Sequence, residues 1–242
     1  MLKLIDIHCH LFDYASTVDL TDIDNDRQII YVSTVLKPEE IATHVGKAIA
    51  FWFMGLHPQA VGLDDKFKRK YVDHIVDFDP IGIGEIGLDK NYPDLDKQIE
   101  LLEMQLKIAK FYKLPTLYHL VGHEYEFIKI HKKWKLPKMK IMHGFNSSSE
   151  VFEELNKLGF YFSIGNRLLN NPKKREVLEA ILQTKRFFLE SDAPYDGGLD
   201  EVIKIAVKLK NNYEISMDEI KHILNKNFDD MVEGKFGYSE KK

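Results

Sequence analysis

The stretch MLKLIDIHCHLF, residues 1–12, passes from apolar residues directly into three polar side chains spaced two apart, Asp6, His8 and His10. Because side chains alternate along a β-strand, these three residues share one face, with Leu4 one step below them. The inward face of a closed barrel is packed with apolar residues, and its polar chemistry lies at the carboxyl-terminal mouth. The stretch therefore predicts a first barrel strand whose histidines lie at the mouth.

Further short apolar runs follow along the chain, each rich in β-branched or aromatic residues, as buried parallel strands are. The full set of runs is LKLIDI, QIIYVST, IAFWFMGL, PIGIGEI, LPTLY, KMKIM, GFYFSIG and RFFLE. Stretches with helical spacing and polar faces separate them. This alternation predicts an α/β fold, a (β/α)8 TIM-type barrel formed as a single domain over residues 1–242. A doubly wound sheet is the competing architecture, but a glycine-rich turn would usually follow its first strand, where this chain has His-Cys-His.

The clearest helix is predicted over residues 94–113, DLDKQIELLEMQLKIAKFYK, with Asp94 or Asp96 as its N-cap. The residues of its apolar stripe are Ile99, Leu102, Leu106 and Ala109. Other helices are expected to begin near Pro38, Ser147, Pro172 and Ser216.

The composition, with 44% hydrophobic and 30% charged residues, is that of a soluble globular protein. A formal net charge of -4 argues against a protein that coats nucleic acid through bulk charge, although it permits a local basic patch. The single cysteine, Cys9, excludes an internal disulfide and indicates a reducing compartment. No signal peptide or membrane-spanning run is recognisable, and no obligate protein partner is evident. We therefore expect a cytoplasmic location and no membrane association.

Polar side chains also follow the later predicted strands. They are His57, Glu85, Asp89, His119, His143, Ser191 and Asp192. If the barrel closes, these side chains converge on one rim, where burying them without partners would be costly. Divalent metal ions remove that cost and use imidazole and carboxylate groups as ligands. The joint pattern therefore predicts a metal site at the mouth, although a single strand-end histidine, or HxH alone, is only weak evidence.

The sequence gives weaker evidence that the other histidines or Cys9 take part in the metal site. Four histidines fall in predicted helices as surface or packing residues: His44, His74, His131 and His222. His123 follows a predicted strand exit and lies within possible reach of the rim. Cys9, between two inward residues, is expected to point outward and not to act as a ligand.

The motifs DIHCHL, GLHP, GEIGLD, HGF and LESDAPY, together with the strand-end His119, resemble those of the TatD family of metal-dependent hydrolases within the amidohydrolase-like barrels. The resemblance runs in the same order from residue 6 to about residue 228, with a weaker match at NKNF. It implies a TIM-type barrel that binds two, in some members three, divalent ions. The identity of the metal, Mg²⁺, Mn²⁺ or Zn²⁺, stays open.

By matching motif positions, the resemblance implies a role for each site residue. One ion would be held by His8, His10, Glu85 and Asp192, and the second by Glu85, His119 and His143. Glu85 would bridge the two ions, and Asp192 would accept a proton from the attacking water. His57 and Asp89 would contact substrate, and Asp6 would orient a ligand histidine.

The implied reaction is hydrolysis of an ester by metal-activated water, and the implied substrate is a phosphodiester at a DNA end. Two departures lie on the substrate side. No arginine follows His119 in YHLVGHE, and HGFNSS replaces the usual HCFSG. Arg167, at another strand exit, is a candidate replacement cation or a solvated residue. A second basic stretch, KIHKKWKLPKMK, is expected to be a solvated connector at the opposite end of the barrel. Four aromatic residues would either stack on bases or pack the rim: Phe12, Tyr14, Phe145 and Tyr195.

Three alternatives to a nuclease are open. The first is a phosphomonoesterase acting on a small phosphoester. The second is a C–N amidohydrolase, which often uses a lysine on strand four, where this chain has Glu85 and places Lys90 after the turn. The third is a non-catalytic barrel, which is disfavoured because none of the expected ligands is missing.

Overall fold

Eight parallel strands close into a barrel in the computed structural model, which describes residues 2–11, 29–35, 51–62, 64–136 and 139–233. The strands are β1 Leu4–Cys9, β2 Ile29–Val35, β3 Phe51–Met54, β4 Gly82–Asp89, β5 Thr116–Val121, β6 Lys140–Met142, β7 Phe160–Ile164 and β8 Phe187–Leu189. Neighbours in sequence are neighbours in the barrel, and β1 pairs with β8 through Asp6 and Leu189 to close it. The predicted (β/α)8 fold is thereby confirmed, and each predicted apolar run overlaps one strand.

The described helices lie between the strands. They are α1 Asp65–Phe78, α2 Leu95–Tyr112, α3 Glu124–Lys133, α4 Ser149–Lys157, α5 Asn166–Leu169, α6 Arg175–Thr184, α7 Glu201–Asn212 and α8 Met217–Val232. Two 3₁₀ turns, Pro58–Gly62 and Pro172–Lys174, precede α1 and α6. The helix predicted near Pro38, together with His44, Phe12 and Tyr14, lies outside the described residues.

Among the described residues, the predicted helix starts agree with the structure to within about three residues, but one predicted N-cap makes no capping bond. Ser148 and Ser216 are N-caps, and each hydroxyl accepts a hydrogen bond from a backbone N–H of the first turn. Asp94 occupies the N-cap position of α2 in a left-handed conformation, and its side chain makes no capping bond. Its carboxylate instead accepts a hydrogen bond from Lys97 at 2.5 Å, so the local ion pair replaces the cap.

The core consists of side chains on both faces of the strands, as expected for a parallel barrel covered by helices. Phe53, Phe160 and Phe187 are fully buried. Cys9 is also buried, and its thiol donates a hydrogen bond to the carbonyl of Val32 at 3.6 Å. No described helix has both the length and the apolar character that a membrane span requires. The parallel arrangement brings the carboxyl ends of all eight strands to one mouth, where the polar residues lie.

Candidate metal centre

His8 and His10, at the end of β1, face Asp192, which lies just beyond β8. The Nε2 atoms of both histidines lie 3.5 Å from Asp192 Oδ1. The main chains are joined as well, because the N–H of Asp192 donates to the His8 carbonyl and the N–H of His10 donates to the Ala193 carbonyl. The closure of β8 onto β1 therefore brings together residues that are 182 to 184 positions apart in the chain.

Asp6 holds the same junction through two main-chain N–H groups and one side-chain hydroxyl. Its carboxylate accepts hydrogen bonds from the N–H and the hydroxyl of Ser191 at 3.0 and 2.6 Å, and from the N–H of His8 at 3.3 Å. Burial raises the pKa of Asp6 to about 7. Asp6 was expected to orient a ligand ring, but the structure gives that contact to Thr34, whose hydroxyl lies 2.9 Å from His8 Nδ1.

Glu85, on β4, lies at the centre of the cluster. Its Oε1 is 2.8 Å from both His119 Nδ1 and His143 Nε2, and 3.9 Å from His57 Nε2. Its Oε2 is 3.7 Å from His8 Nε2. Burial alone would raise the pKa of Glu85, but the surrounding histidines hold it well below its ordinary range. Glu85 is therefore an ionised acceptor, with one oxygen facing His119 and His143 and the other facing His8.

Gly87 explains how Glu85 and His119 come so close together. Its φ is +156°, and a Cβ at this position would lie 1.7 Å from the carbonyl oxygen of His119. Only glycine fits a backbone approach of this kind. The second glycine of the GEIGLD motif is therefore required by the pairing of β4 with β5 beside the site.

Asp89 and Glu190 hold the histidines from the outside. Asp89 Oδ2 lies 3.0 Å from His119 Nε2, so this carboxylate, predicted to contact substrate, contacts a predicted ligand and is almost fully buried. Glu190 accepts a hydrogen bond from the N–H of Gly144 at 2.7 Å, and its other oxygen lies 3.7 Å from His143 Nδ1. Sequence reasoning missed Glu190 because it assigned the polar end of β8 only to Ser191 and Asp192. A charged residue immediately after the buried run RFFL was the available signal.

The donor atoms fall into two groups, and each group could bind one metal ion. His8, His10 and Glu85 form one group, and His57, Glu85 and His119 form the other, with the donor atoms of each group within 4.8 Å of one another. His8 Nε2 is buried and has no hydrogen-bond partner among the described residues, although two carboxylates lie near it. A buried nitrogen without a partner, directed between carboxylates, fits a metal ligand.

The charge states of Asp192 and His57 suit metal binding. Burial alone would raise the pKa of Asp192, but the adjacent His10 and His8 rings lower it well below its usual range. Burial lowers the pKa of His57 to about 4, despite the nearby Glu85. Asp192 is therefore an anion and His57 a neutral ring at neutral pH, which are the forms that bind metal ions.

The rim of the mouth carries two of the predicted substrate contacts. Arg167, the second residue of α5, has a largely exposed side chain, and its Nε lies 3.9 Å from Asp196 Oδ2. Tyr195 is 65% exposed, and its ring lies edge-on to the His10 ring with centroids 5.0 Å apart. Phe145, by contrast, is buried against Phe162 and packs the rim.

Comparison with known proteins gives three relevant relatives. A metal-dependent hydrolase of Escherichia coli, YjjV, is 28% identical over 209 residues, covering 79% of this chain and 80% of the relative. A metal-dependent hydrolase of Methanocaldococcus jannaschii is 26% identical over 248 residues, covering 93% and 95%. The Erwinia amylovora protein named 3'-5' ssDNA/RNA exonuclease TatD is 29% identical over 121 residues, covering 48% and 46%.

A solved structure agrees with these matches. The crystal structure of YjjV superposes with a TM-score of 0.78 at 22% identity, covering 95% of this chain and 98% of that one. The family model described as TatD related DNase matches residues 5–233, which include every polar residue of the mouth described above. The chain belongs to the TatD-related DNase family and is a metal-dependent hydrolase.

Proposed function

We propose that this chain is a divalent-metal-dependent phosphodiesterase that shortens single-stranded nucleic acid from an end. The observation that carries the proposal is the position of Glu85, which contacts histidines of both halves of the cluster. A carboxylate shared in this way suits a site for two ions on the two sides of one scissile group. The name of the Erwinia relative supports nucleic acid as the substrate class.

We assign the ions to the ligand sets that the family resemblance implies, and the contacts of Glu85 with His8, His119 and His143 support them. The sets are His8, His10, Glu85 and Asp192 for one ion, and Glu85, His119 and His143 for the other. The imidazole groups of this donor set favour Zn²⁺, and its carboxylates also suit Mn²⁺ or Mg²⁺. When bound, the ions supply an activated water and stabilise negative charge on the attacked phosphate.

The chain's own residues account for the rest of the proposed reaction. Asp192 is ionised, lies beside both histidines of β1, and accepts the proton of the attacking water. His57 keeps a neutral ring facing Glu85 and contacts substrate. Arg167 and Tyr195, exposed at the rim, offer a cation for phosphate and an aromatic edge or face for a base. The cytoplasmic location stays a prediction from composition.

A time course on single-stranded DNA and RNA, labelled separately at each end, tests this function. The wild type with Mn²⁺ or Mg²⁺ should shorten the strand stepwise from one end, and chelator should abolish the reaction. Asp192→Asn should lower the rate by about 10²- to 10⁴-fold. Asp200→Asn, an exposed aspartate beyond the same loop, is the matched control and should cleave as the wild type does.

A wild type that binds metal but cleaves neither nucleic acid would contradict the nuclease proposal. Phosphomonoesters would then be the next substrates, since no arginine follows His119 in YHLVGHE. C–N substrates would follow, although β4 supplies Glu85 where C–N amidohydrolases often use a lysine.

A further inference from the structure

Helix α2 carries two glutamines that are buried although their side chains are polar. Gln98 and Gln105 are 1% and 0% exposed, and they lie seven residues apart, which is two helical turns, on the face that packs against the barrel. Buried amides of this kind are retained only where their hydrogen bonds are satisfied. Both side chains direct those bonds to loops that carry residues of the metal centre.

Gln105 binds both main-chain groups of Leu56. Its Oε1 accepts a hydrogen bond from the Leu56 N–H at 2.7 Å, and its Nε2 donates to the Leu56 carbonyl at 2.9 Å. Leu56 immediately precedes His57, and β3 ends two residues earlier, at Met54. The side chain thus takes the place of a neighbouring strand at the point where the strand has ended.

Gln98 makes the same pair of bonds with Asp89, at the end of β4. Its Oε1 accepts from the Asp89 N–H at 2.8 Å, and its Nε2 donates to the Asp89 carbonyl at 3.0 Å. Further contacts from Nε2 to the carbonyls of Tyr92 and Pro93, at 2.9 and 3.2 Å, fix the turn that follows. Asp89 in turn holds His119 through its Nε2.

The two glutamines therefore connect one helix to both His57 and His119. The apolar residues between them, such as Leu102, secure α2 against the barrel, but apolar burial has no direction and does not fix a loop to a fraction of an ångström. Two hydrogen bonds to the main chain of one residue do fix its position and its orientation. Metal affinity depends on how the ligand side chains are oriented as well as on which residues they are.

We propose that Gln98 and Gln105 are positioning residues that hold His119 and His57 against Glu85 in the geometry that binds a metal ion. The inference rests on the metal centre proposed above and adds the element that aligns one half of it. It gives α2 a role in metal affinity, although no proposed ligand or catalytic residue lies on this helix.

The test is a calorimetric titration of the metal-free, full-length protein with Mn²⁺ alone, accompanied by thermal unfolding in chelator. Gln98→Met and Gln105→Met keep the unbranched shape and remove the hydrogen bonds. Gln98→Glu and Gln105→Glu keep the acceptor for the N–H and lose the donor, in case the methionine variants do not fold. Leu102→Ala is the matched control, since it weakens the packing of the same helix and leaves both loops untouched.

The expected result is a binding step about tenfold weaker in the methionine variants, with a smaller loss in the glutamate variants. Leu102→Ala should keep the wild-type affinity even where it lowers the unfolding midpoint further. Equal affinity in all variants, or an equal loss in Leu102→Ala, would overturn the positioning role and leave the proposed function intact. A wild type that binds no Mn²⁺ would overturn both.

Discussion

At the scale of single residues, the site depends on partners that lie far from the ligands in the sequence. Strand alternation was enough to place His8 and His10 at the mouth, because it is a local rule. Thr34 and Glu190 were not predicted, since each matters only through a contact with another strand. Thr34 lies inside the run QIIYVST and looked like an ordinary strand residue, yet it holds His8 Nδ1 at 2.9 Å.

Thr34→Val should weaken metal binding while preserving the fold. The substitution keeps the shape of the side chain and removes the hydroxyl, so the His8 ring loses the contact that orients it. We expect affinity for Mn²⁺ to fall by about tenfold or more in a calorimetric titration. Thr116→Val, at the start of β5 and the opposite end of the barrel, is the control. Equal affinity in the Thr34 variant and the wild type would count against this role.

Tyr195→Ala should raise KM for a single-stranded oligonucleotide by about 5- to 150-fold, because base stacking on an aromatic residue contributes about 1–3 kcal/mol. The same variant should hydrolyse bis(p-nitrophenyl) phosphate as the wild type does, since that substrate carries no nucleobase. Phe111→Ala removes an aromatic residue exposed at the end of α2, and it serves as the control. A parallel loss on both substrates would show that Tyr195 shapes the metal centre instead of stacking on bases.

At the scale of elements, the strands were more predictable than the helix ends. Buried parallel strands are short, continuous apolar runs, so each appears directly in the sequence. The N-cap position of α2 at Asp94 was predictable, but its left-handed conformation and its ion pair with Lys97 were not. The role of α2 at the site was also hidden, since a glutamine on an amphipathic helix looks like a surface residue until its partners, Leu56 and Asp89, are known.

Helix α3 provides a test of packing that is independent of the metal centre. His131 is buried among Tyr118, Phe127 and Phe160, and its Nδ1–H donates to the Phe127 carbonyl at 3.0 Å. Burial lowers the pKa of His131 to about 3. Because the unfolded chain binds this proton below about pH 6.5 and the folded chain does not, stability falls as the pH drops toward 3.

His131→Phe should therefore reduce the acid sensitivity of folding. On acidification from about pH 6.5 to pH 5, the histidine lowers the free energy of unfolding by about 1.4 kcal/mol per pH unit. The loss of stability in the variant should be smaller than that in the wild type by this amount. Urea unfolding in chelator at about pH 7 and pH 5 measures the difference. His222→Phe, on the exposed side of α8, should leave the wild-type pH dependence unchanged. An identical pH dependence for His131→Phe and the wild type would contradict the buried, neutral state of this ring.

At the scale of the whole molecule, the barrel brings into one mouth polar residues from β1, β4 and β5 and from the loops after β3, β6 and β8. The convergence could be predicted because parallel strands must all end on the same side. The distances could not, since they depend on the close approach at Gly87 and on the closure of β8 onto β1. A ligand that binds to this mouth connects much of the barrel, and should therefore stabilise it.

Mn²⁺ at about 100 times its Kd should stabilise the folded chain by about 2.7 kcal/mol. For a domain of this size, the unfolding midpoint should rise by about 5–10 °C relative to the same protein in chelator. Glu85→Gln removes the anion shared by both halves of the cluster and should lose most of the rise. The same midpoint with Mn²⁺ and with chelator would show that the cluster does not bind this metal.

Anomalous diffraction from crystals grown with Mn²⁺ would test the metal centre most directly. Strong anomalous density is expected between Glu85, His8 and His10, with a second peak between Glu85 and His119 if two ions bind together. Density only at surface carboxylates, from an enzyme that is active with Mn²⁺, would contradict the proposed metal centre.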